Sequence, residues 1–95
     1  MFGSIFRMQA KPGKKQELLA QFTDAAGRVP SGMRGAYALD AGGDEVWGVA
    51  VFDDEKSYRA NAESPDQDAE YRRWRELLVS DPEWHDGTIS EFRAS

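Results

Sequence analysis

The stretch from Val46 to Phe52 constrains the fold more than any other segment, because it is apolar at both odd and even positions. Successive side chains of a strand point to opposite faces of a sheet, so this pattern favours a strand that is buried on both faces. The run is the longest apolar one in the chain, and it is far shorter than the roughly 20 residues of a membrane-spanning helix. The sequence therefore predicts a central strand from Glu45 to Phe52, covered on both sides, in a soluble protein.

The N-terminal segment from Phe2 to Ala10 alternates in polarity, which is typical of a strand with one buried face. Phe6 and Met8 fall on one side of this strand, and Ile5 and Arg7 fall on the other. The segment lacks a basic region followed by an apolar region, so it does not look like a signal peptide. We therefore expect a cytoplasmic protein.

After a turn at Lys11-Pro12-Gly13, the spacing of the apolar residues changes from two to between three and four. This spacing indicates an amphipathic helix that starts near Lys14 and has one apolar stripe. The stripe consists of Leu18, Phe22, Ala25, Ala26 and Val29. Pro30-Ser31-Gly32 ends the predicted helix.

A second strand is predicted from Met33 to Ala41, with Met33, Tyr37 and Leu39 on one side of it. Gly42-Gly43 follow this strand and predict a hairpin turn, because glycine readily adopts the positive φ that tight hairpin turns need. The hairpin leads directly into the central strand.

Two helical segments follow the central strand. The acidic residues Asp53-Asp54-Glu55 complement the positive end of a helix dipole, so they predict a helix start, and this helix ends near Glu63. Ser64 is then a predicted N-cap with Pro65 at the first helical position. The second helix is predicted to continue to about Val79.

A short last strand is predicted from Gly87 to Phe92, which completes the order β-α-β-β-α-β. This order predicts an α+β ferredoxin-like fold, in which residues 1–95 form a single domain with a four-stranded antiparallel sheet. The apolar stripes of the helices cover only one face of that sheet. The other face carries Trp47, and an uncovered apolar face of this kind predicts a homodimer.

The charge of the chain argues against nucleic acid as a partner. The 17 acidic and 12 basic residues give a formal net charge of −5, which repels a phosphate backbone. Arg72, Arg73 and Arg75 are interleaved with acidic residues, as on a solvated helix face. The chain has no cysteine and one histidine, which excludes thiolate chemistry and predicts no metal site.

Five short segments together resemble one known family. They are Lys11-Pro12-Gly13-Lys14, Val49-Ala50-Val51-Phe52, Asp53-Asp54-Glu55-Lys56-Ser57-Tyr58, Ala62-Glu63-Ser64-Pro65 and Pro82-Glu83-Trp84-His85-Asp86-Gly87. The family is the antibiotic biosynthesis monooxygenase superfamily of dimeric α/β barrels, and the likeness spans nearly the whole chain. The resemblance implies a homodimer with one pocket per subunit between the sheet and the helices.

The resemblance also implies a chemistry. Some members of the family oxidise phenolic or quinol-like compounds with O₂ and no bound flavin or metal, and others bind and degrade haem. The haem-degrading members carry an asparagine on the first strand, where this chain has Ser4, Phe6 and Met8. The leading hypothesis is therefore a cofactor-independent monooxygenase, with no bound cofactor, that acts on an aromatic or quinol-like small molecule.

By the same resemblance, Asn61 and Tyr71 are the candidate catalytic residues, because an asparagine and a tyrosine of this helical region help to shape the pocket. Trp47, Trp74 and His85 are the candidate substrate-binding residues. Flat aromatic faces suit an aromatic ligand, and histidine exchanges protons near neutral pH.

Each of these residues also has a purely structural interpretation. Asn61 can be a surface residue near a helix break, and Tyr71 and Trp74 can be core aromatics on a helix stripe. Trp47 can fill the interface of the sheet instead of lining a cavity. His85 can anchor a loop, and a single histidine can also be an axial ligand of haem.

A competing hypothesis is a non-catalytic dimer of the same fold that binds a small ligand or has a regulatory role. The segment between Asn61 and Tyr71 contains Pro65 and no tryptophan, whereas the enzymes that the chain resembles usually carry one there. The sequence also shows no paired base and acid. Both observations favour this second hypothesis.

Overall fold

The computed structural model describes residues 1–24 and 30–92, and within them four strands and three helices follow one another. They are β1 (Phe2–Gln9), α1 (Lys15–Asp24), β2 (Met33–Asp40), β3 (Glu45–Phe52), α2 (Glu55–Ala62), α3 (Pro65–Arg75) and β4 (Glu83–Thr88). The strands form one antiparallel sheet in the order β2-β3-β1-β4. This is the ferredoxin-like α+β fold that the sequence predicts.

The alternation of β1 sorts its side chains between a covered face and an open face of the sheet. Phe6 and Met8 are buried, whereas Ile5 and Arg7 are exposed. The buried side chains belong to one hydrophobic core, which residues of β3, α1, α3 and the turn after α3 complete. Its members are Phe6, Met8, Ala10, Leu18, Val46, Trp74, Leu77 and Leu78. Both helical regions therefore pack on the same face, as predicted.

Strand β3 pairs with both β1 and β2, which confirms its predicted central position. Val46 and Phe52 are fully buried on the covered face, but Val49 and Val51 on the open face are only half-buried. The expectation that β3 is covered on both sides is therefore wrong for the chain by itself. The reason is that the core completed by the helices lies on the Val46 side of the sheet.

The hairpin between β2 and β3 turns at Gly42 and Gly43, as predicted. Their φ angles are 90° and 55°, which a residue with a side chain rarely adopts. The N–H of Glu45 donates to the carbonyl of Gly42 at 3.2 Å and closes the turn.

Strand β2 contains a register shift between Met33 and Gly35. Met33 lies opposite Phe52 and so on the covered face, while Tyr37 and Leu39 lie on the open face. The prediction that these three side chains share one side is wrong, because the extra residue of a bulge moves the rest of the strand to the other face.

The break between α2 and α3 confirms the predicted cap. The hydroxyl of Ser64 accepts a hydrogen bond from the N–H of Gln67 at 3.1 Å, and Pro65 occupies the first position of α3. Proline has no N–H to offer to α2, so the chain starts a new helix here.

Helix α3 ends at Arg75 and does not reach Val79 as predicted. The N–H of Lys11 donates to the carbonyl of Leu77 at 2.8 Å, and the N–H of Val79 donates to the carbonyl of Gln9 at 3.0 Å. These bonds to the end of β1 replace those of a further helical turn, although the apolar side chain of Leu77 continues the helical pattern.

Strand β4 begins at Glu83, before the predicted start at Gly87, and ends at Thr88 rather than Phe92. It pairs with β1 from Arg7 to Phe2. Strands at the edge of a sheet tolerate charged side chains, so the polar start of this strand resembles a loop in the sequence.

The predicted stripe of α1 is confirmed where the chain is described. Leu18 is fully buried, and Phe22 packs against the core. Ala25, Ala26 and Val29 of the predicted stripe lie outside the described residues. No helix in residues 1–24 or 30–92 is long and apolar enough to cross a membrane.

Phe6 and Gly48 are in close contact on the covered face. They lie opposite each other on β1 and β3, and a methyl group at Gly48 would be 2.3 Å from two ring atoms of Phe6. The ring cannot simply move aside, because its centroid is 4.8 Å from that of Trp84 and 6.2 Å from that of Trp74. The missing side chain at position 48 therefore makes room for the ring.

We expect Gly48→Ala to destabilise the fold by about 1–3 kcal/mol, because the added methyl overpacks the space of the Phe6 ring. Urea unfolding at a fixed protein concentration measures the change. Gly87→Ala is the matched control, because it adds the same methyl to a strand where no atom lies within 4 Å of it. Equal losses in the two variants would contradict the contact described above.

Candidate functional site

A cavity of about 710 Å³ lies between α2, one side of α3 and the segment at Pro30 and Ser31. This volume is within the roughly 300–1,000 Å³ that small-molecule sites occupy. Its wall includes Asn61 from the last turn of α2 and Arg73 from α3. The cavity is therefore the candidate ligand site on the helical side of the sheet.

The helix break at Ser64 and Pro65 lets two helices contribute to this cavity. Asn61 and Ser57 lie one turn apart on α2 and both face it. The side chain of Ser57 contacts the capping carboxylate of Asp54, and Ser64 is occupied by its bond within the helix cap. The amide of Asn61 is half-buried and makes no hydrogen bond with another described residue, so none of these residues competes with a ligand for it.

Charged side chains of α3 form another part of the wall. They are Asp66, Glu70 and Arg73, and Glu70 Oε1 lies 3.9 Å from Arg73 Nη2. Asp66 makes no ion pair with the residues that the structure describes. Within residues 1–24 and 30–92, no three His, Cys, Asp or Glu side chains come together in a way that could hold a metal ion.

An aromatic cluster of Phe6, Phe22, Tyr71, Trp74 and Trp84 lies between the sheet and α3. The ring centroid of Trp74 is 4.8 Å from that of Tyr71, 5.6 Å from that of Phe22 and 6.2 Å from those of Phe6 and Trp84. These distances are usual for aromatic pairs in a core. Trp74 is 6% exposed, and neither it nor Tyr71 lines the 710 Å³ cavity.

Trp47 and His85 lie on the open face of the sheet. Trp47 is opposite Arg7, and His85 is opposite Ile5, which is 45% exposed. The Nε2 atom of His85 is 3.0 Å from the carboxylate of Glu83. This face is separated from the cavity by the sheet itself.

The structure thus places the five predicted site residues in three locations. Asn61 lines the cavity, Tyr71 and Trp74 belong to the aromatic cluster, and Trp47 and His85 lie on the open face. Of these five, only Asn61 combines a place on the wall of a cavity of ligand size with a polar group that has no hydrogen-bond partner among the described residues. Within one chain, Trp47 and His85 do not converge with it on a common ligand.

Sequence reasoning missed a polar cluster of Ser4, Tyr58 and Asp86 on the covered face. The hydroxyl of Tyr58 donates to Asp86 Oδ1 at 2.9 Å, and Asp86 lies opposite Ser4 on the neighbouring strand. Ser4 is 2% exposed, and its Oγ has no hydrogen-bond partner among the described residues. A paired phenol and carboxylate therefore exist in the fold beside an unsatisfied buried hydroxyl.

One part of this cluster had a signal in the sequence. Ser4 occupies a buried position in the alternation of β1, among apolar residues, and a lone hydroxyl there calls for a partner. The contact of Tyr58 with Asp86 had none, because it joins α2 to β4 and Asp86 precedes the predicted start of the last strand.

The pKa of Tyr58 is raised above its usual value, and burial of the phenol is the largest cause. The hydrogen bond to Asp86 and the negative charge of that carboxylate raise the pKa further. The nearby Ser4 hydroxyl and Arg59 lower this pKa and oppose the shift in part. Ser4 thus lies close enough to affect the phenol without the geometry of a hydrogen bond. Tyr58 consequently remains a hydrogen-bond donor throughout the neutral range.

A ferredoxin-like sheet with helices on one face and a cavity beside them defines a class of small α+β proteins. Within this class, the model of the antibiotic biosynthesis monooxygenase family matches residues 1–76. The chain therefore belongs to the antibiotic biosynthesis monooxygenase family. No curated protein matches the chain.

Several solved structures share the fold over almost the whole chain. A candidate antibiotic biosynthesis monooxygenase from Chloroflexus aurantiacus is 22% identical, with a TM-score of 0.81, covering 98% of this chain and 96% of its own. A protein of unknown function from Nitrosomonas europaea is 23% identical, with a TM-score of 0.76 and coverages of 99% and 95%. A variant of SnoaB, a cofactor-independent oxygenase from Streptomyces nogalater, is 17% identical, with a TM-score of 0.81 and coverages of 96% and 94%.

The raised pKa of Tyr58 makes the polar cluster testable by alkaline titration. A folded-state pKa above that of the unfolded chain contributes stability that is fully present below about pH 10 and is lost as the pH rises through the folded value. We therefore expect the free energy of unfolding of the wild type to fall more steeply in this range than that of Tyr58→Phe.

The ultraviolet absorbance of tyrosinate gives an independent measurement. The difference between the titrations of the wild type and Tyr58→Phe should show a phenol that ionises later than free tyrosine. Asp86→Asn removes the negative charge and should bring this ionisation to lower pH. If the Tyr58 phenol of the wild type ionises at the same pH as free tyrosine, the cluster does not form in solution.

Proposed function

We propose that the chain is a cofactor-independent monooxygenase that uses O₂ to oxidise a small hydroxylated aromatic, quinol-like compound. Membership of the antibiotic biosynthesis monooxygenase family supports a monooxygenase-type role. The single observation that carries the proposal is the amide of Asn61, which has no hydrogen-bond partner among the described residues, on the wall of a 710 Å³ cavity. A ring compound with one or two hydroxyl groups fits a cavity of this volume.

The proposed reaction needs no bound cofactor, because the substrate anion is itself the reductant. A phenol loses its hydroxyl proton, and the resulting phenolate passes an electron to O₂. One oxygen atom becomes the second carbonyl of a quinone. The other leaves as water with the phenol proton and the ring hydrogen that is displaced. The protein has to supply a proton acceptor and a donor to the oxyanion.

Residues on the cavity wall can fill both roles. The amide of Asn61 donates to the oxygen on which negative charge develops, and a single donor of this kind contributes roughly 10²–10³-fold to turnover. The carboxylate of Asp66 is the proposed proton acceptor, since Glu70 is already paired with Arg73. Arg73 adds a positive charge to the same wall.

The remaining candidate residues have supporting roles in this proposal. Tyr71 and Trp74 hold α3 against the sheet through their rings, and a catalytic role for the Tyr71 hydroxyl is tested below. Trp47 and His85 contribute to the association of two copies. Residues 1–95 act as one domain, in the cytoplasm.

A second copy of the chain is part of the proposal, because the open face of the sheet carries large apolar side chains. Ile5, Tyr37 and Leu39 are 45%, 71% and 61% exposed, and Trp47 lies on the same face. Pairing of two such faces buries them symmetrically, as in a homodimer.

The alternative is a non-catalytic dimer that binds a small ligand or has a regulatory role. Pro65 favours it, because this residue stands in the segment where related enzymes usually carry a tryptophan. In this alternative, Asn61 binds the ligand without promoting a reaction.

Oxygen consumption with a panel of dihydroxyaromatic compounds tests the proposed activity. We expect turnover by the wild type and a loss on the order of a hundredfold in Asn61→Ala, because a donor to the developing oxyanion is removed. Asn61→Asp should lose as much, since it keeps the shape and replaces the donor by an acceptor. Glu63→Ala changes an exposed residue of the same helix end and should keep wild-type turnover.

Tyr71→Phe separates the two roles of Tyr71, because it removes the hydroxyl and keeps the ring. A fall in turnover would place the hydroxyl at the substrate, and no change would leave it in the aromatic cluster. Full activity in both Asn61 variants would exclude this residue from the site. Ligand binding without oxygen consumption would favour the non-catalytic alternative.

Light scattering tests the homodimer. At micromolar concentration we expect about twice the mass of one chain, and Leu39→Lys should shift the mass towards the monomer because it places a charge in the open face. Val79→Lys is the matched control, since Val79 is similarly apolar and 49% exposed but lies in the turn after α3. A wild-type monomer would contradict the proposed pairing.

A further inference from the structure

Helix α2 carries Asn61 but makes little contact with the core of the protein. None of its eight residues is buried. Its main apolar contact is Tyr58, whose ring centroid lies 5.3 Å from that of Phe2 and 5.6 Å from that of the fully buried Phe52. The placement of α2 on the sheet therefore depends largely on one side chain.

The hydroxyl of Tyr58 fixes the direction in which this side chain extends. It donates to Asp86 Oδ1 at 2.9 Å, so the phenol reaches from α2 across the buried Ser4 to the edge strand β4. The ring packs on β1 and β3, while the hydroxyl is bonded to β4. This combination restricts both the tilt and the rotation of the helix.

The opposite side of α2 is confined by the segment before β2. A methyl group added at Gly32 would lie 2.5 Å from Cβ of Ser57, so the backbone of Gly32 touches the helix there. Ser57 and Tyr58 are adjacent residues, and they hold the same turn of α2 from two sides. Asn61 lies four residues after Ser57 and three after Tyr58, so it occupies the next turn, close to both.

We propose that Tyr58, bonded to Asp86, is the positioning residue that orients Asn61 towards the cavity. This inference rests on the proposed function for its catalytic consequence, although the orientation itself can be measured without it. Tyr58 does not line the cavity, so it acts through Asn61 and not on the ligand. Loss of its hydroxyl releases α2 from β4 and leaves the carboxylate of Asp86 without this partner.

The consequence for catalysis follows from the role of Asn61. If its amide donates to charge that develops only in the transition state, a displaced amide lowers kcat and leaves KM nearly unchanged. A displacement of about 1 Å can cost on the order of a hundredfold in turnover. We expect a loss of roughly tenfold to a hundredfold in kcat for Tyr58→Phe.

A spectroscopic test uses the fact that Asn61 is the one asparagine of the chain. Selective ¹⁵N-asparagine labelling gives a single side-chain amide group in the NMR spectrum. We expect its signals to shift or broaden in Tyr58→Phe and in Asp86→Ala, because both remove the same bond. Asp86→Asn keeps an acceptor for the phenol and should restore kcat and the Asn61 signals, which remain recognisable because the amide added by the substitution gives one further pair of signals that the wild type lacks.

The double variant Tyr58→Phe/Asp86→Ala should lose no more kcat than either single variant, because one bond is removed in each. Glu83→Ala is the matched control, since it changes a carboxylate of the same strand that faces the open side. It should leave the Asn61 signals in place. Circular dichroism checks that each variant is folded. If Tyr58→Phe does not fold, Asp86→Ala takes its place in the test, because it removes the same hydrogen bond.

Unchanged Asn61 signals in folded Tyr58→Phe and Asp86→Ala would overturn the inference. A wild type that consumes no oxygen would refute the proposed activity but would leave the spectroscopic result to decide the positioning role. Shifted signals combined with an unchanged kcat would also overturn the inference, because Asn61 orientation would then have no effect on the reaction.

Discussion

The ring of Phe6 lies over Gly48, and the arrangement of the covered face depends on this contact. Because position 48 has no side chain, the ring settles against the sheet and comes within 6.5 Å of the ring centroids of Phe22, Trp74 and Trp84. These rings belong to α1, α3 and β4, so one residue of β1 connects three other elements. Aromatic pairs of this kind add about 0.5–1.5 kcal/mol each beyond the burial of their area.

Helix α2 lies outside that network, and the candidate site is built on it. Segments that bind ligands are often less firmly packed than the core that supports them. In this fold the division is plain, because α3 is held by buried rings and α2 is held by Tyr58 and its bond to Asp86. A polar contact at the edge of the sheet therefore sets the position of the amide of Asn61, while the aromatic cluster keeps the opposite wall of the cavity in place.

The fold is shared with proteins that are only 17–23% identical to this chain. A pattern of buried positions can be filled by many combinations of apolar side chains, so the fold persists while the polar residues change. Function consequently has to be argued from the site. Asn61 was found through the family resemblance and does line the cavity, whereas Trp47 and His85 had the right chemistry and lie on the other face of the sheet.

The sequence by itself determined the elements and their order, because these depend on local properties. The alternation of β1, the stripe of α1, the turn at Gly42-Gly43 and the cap at Ser64-Pro65 each act within a few residues and were all predicted. Only the tertiary structure decided where β4 begins and ends, because its residues are fixed by backbone bonds to a strand far away in the chain. It likewise decided which side chains meet. Ser4, Tyr58 and Asp86 come together because of the register between β1 and β4, and a shift of one residue would turn Asp86 to the opposite face of the sheet.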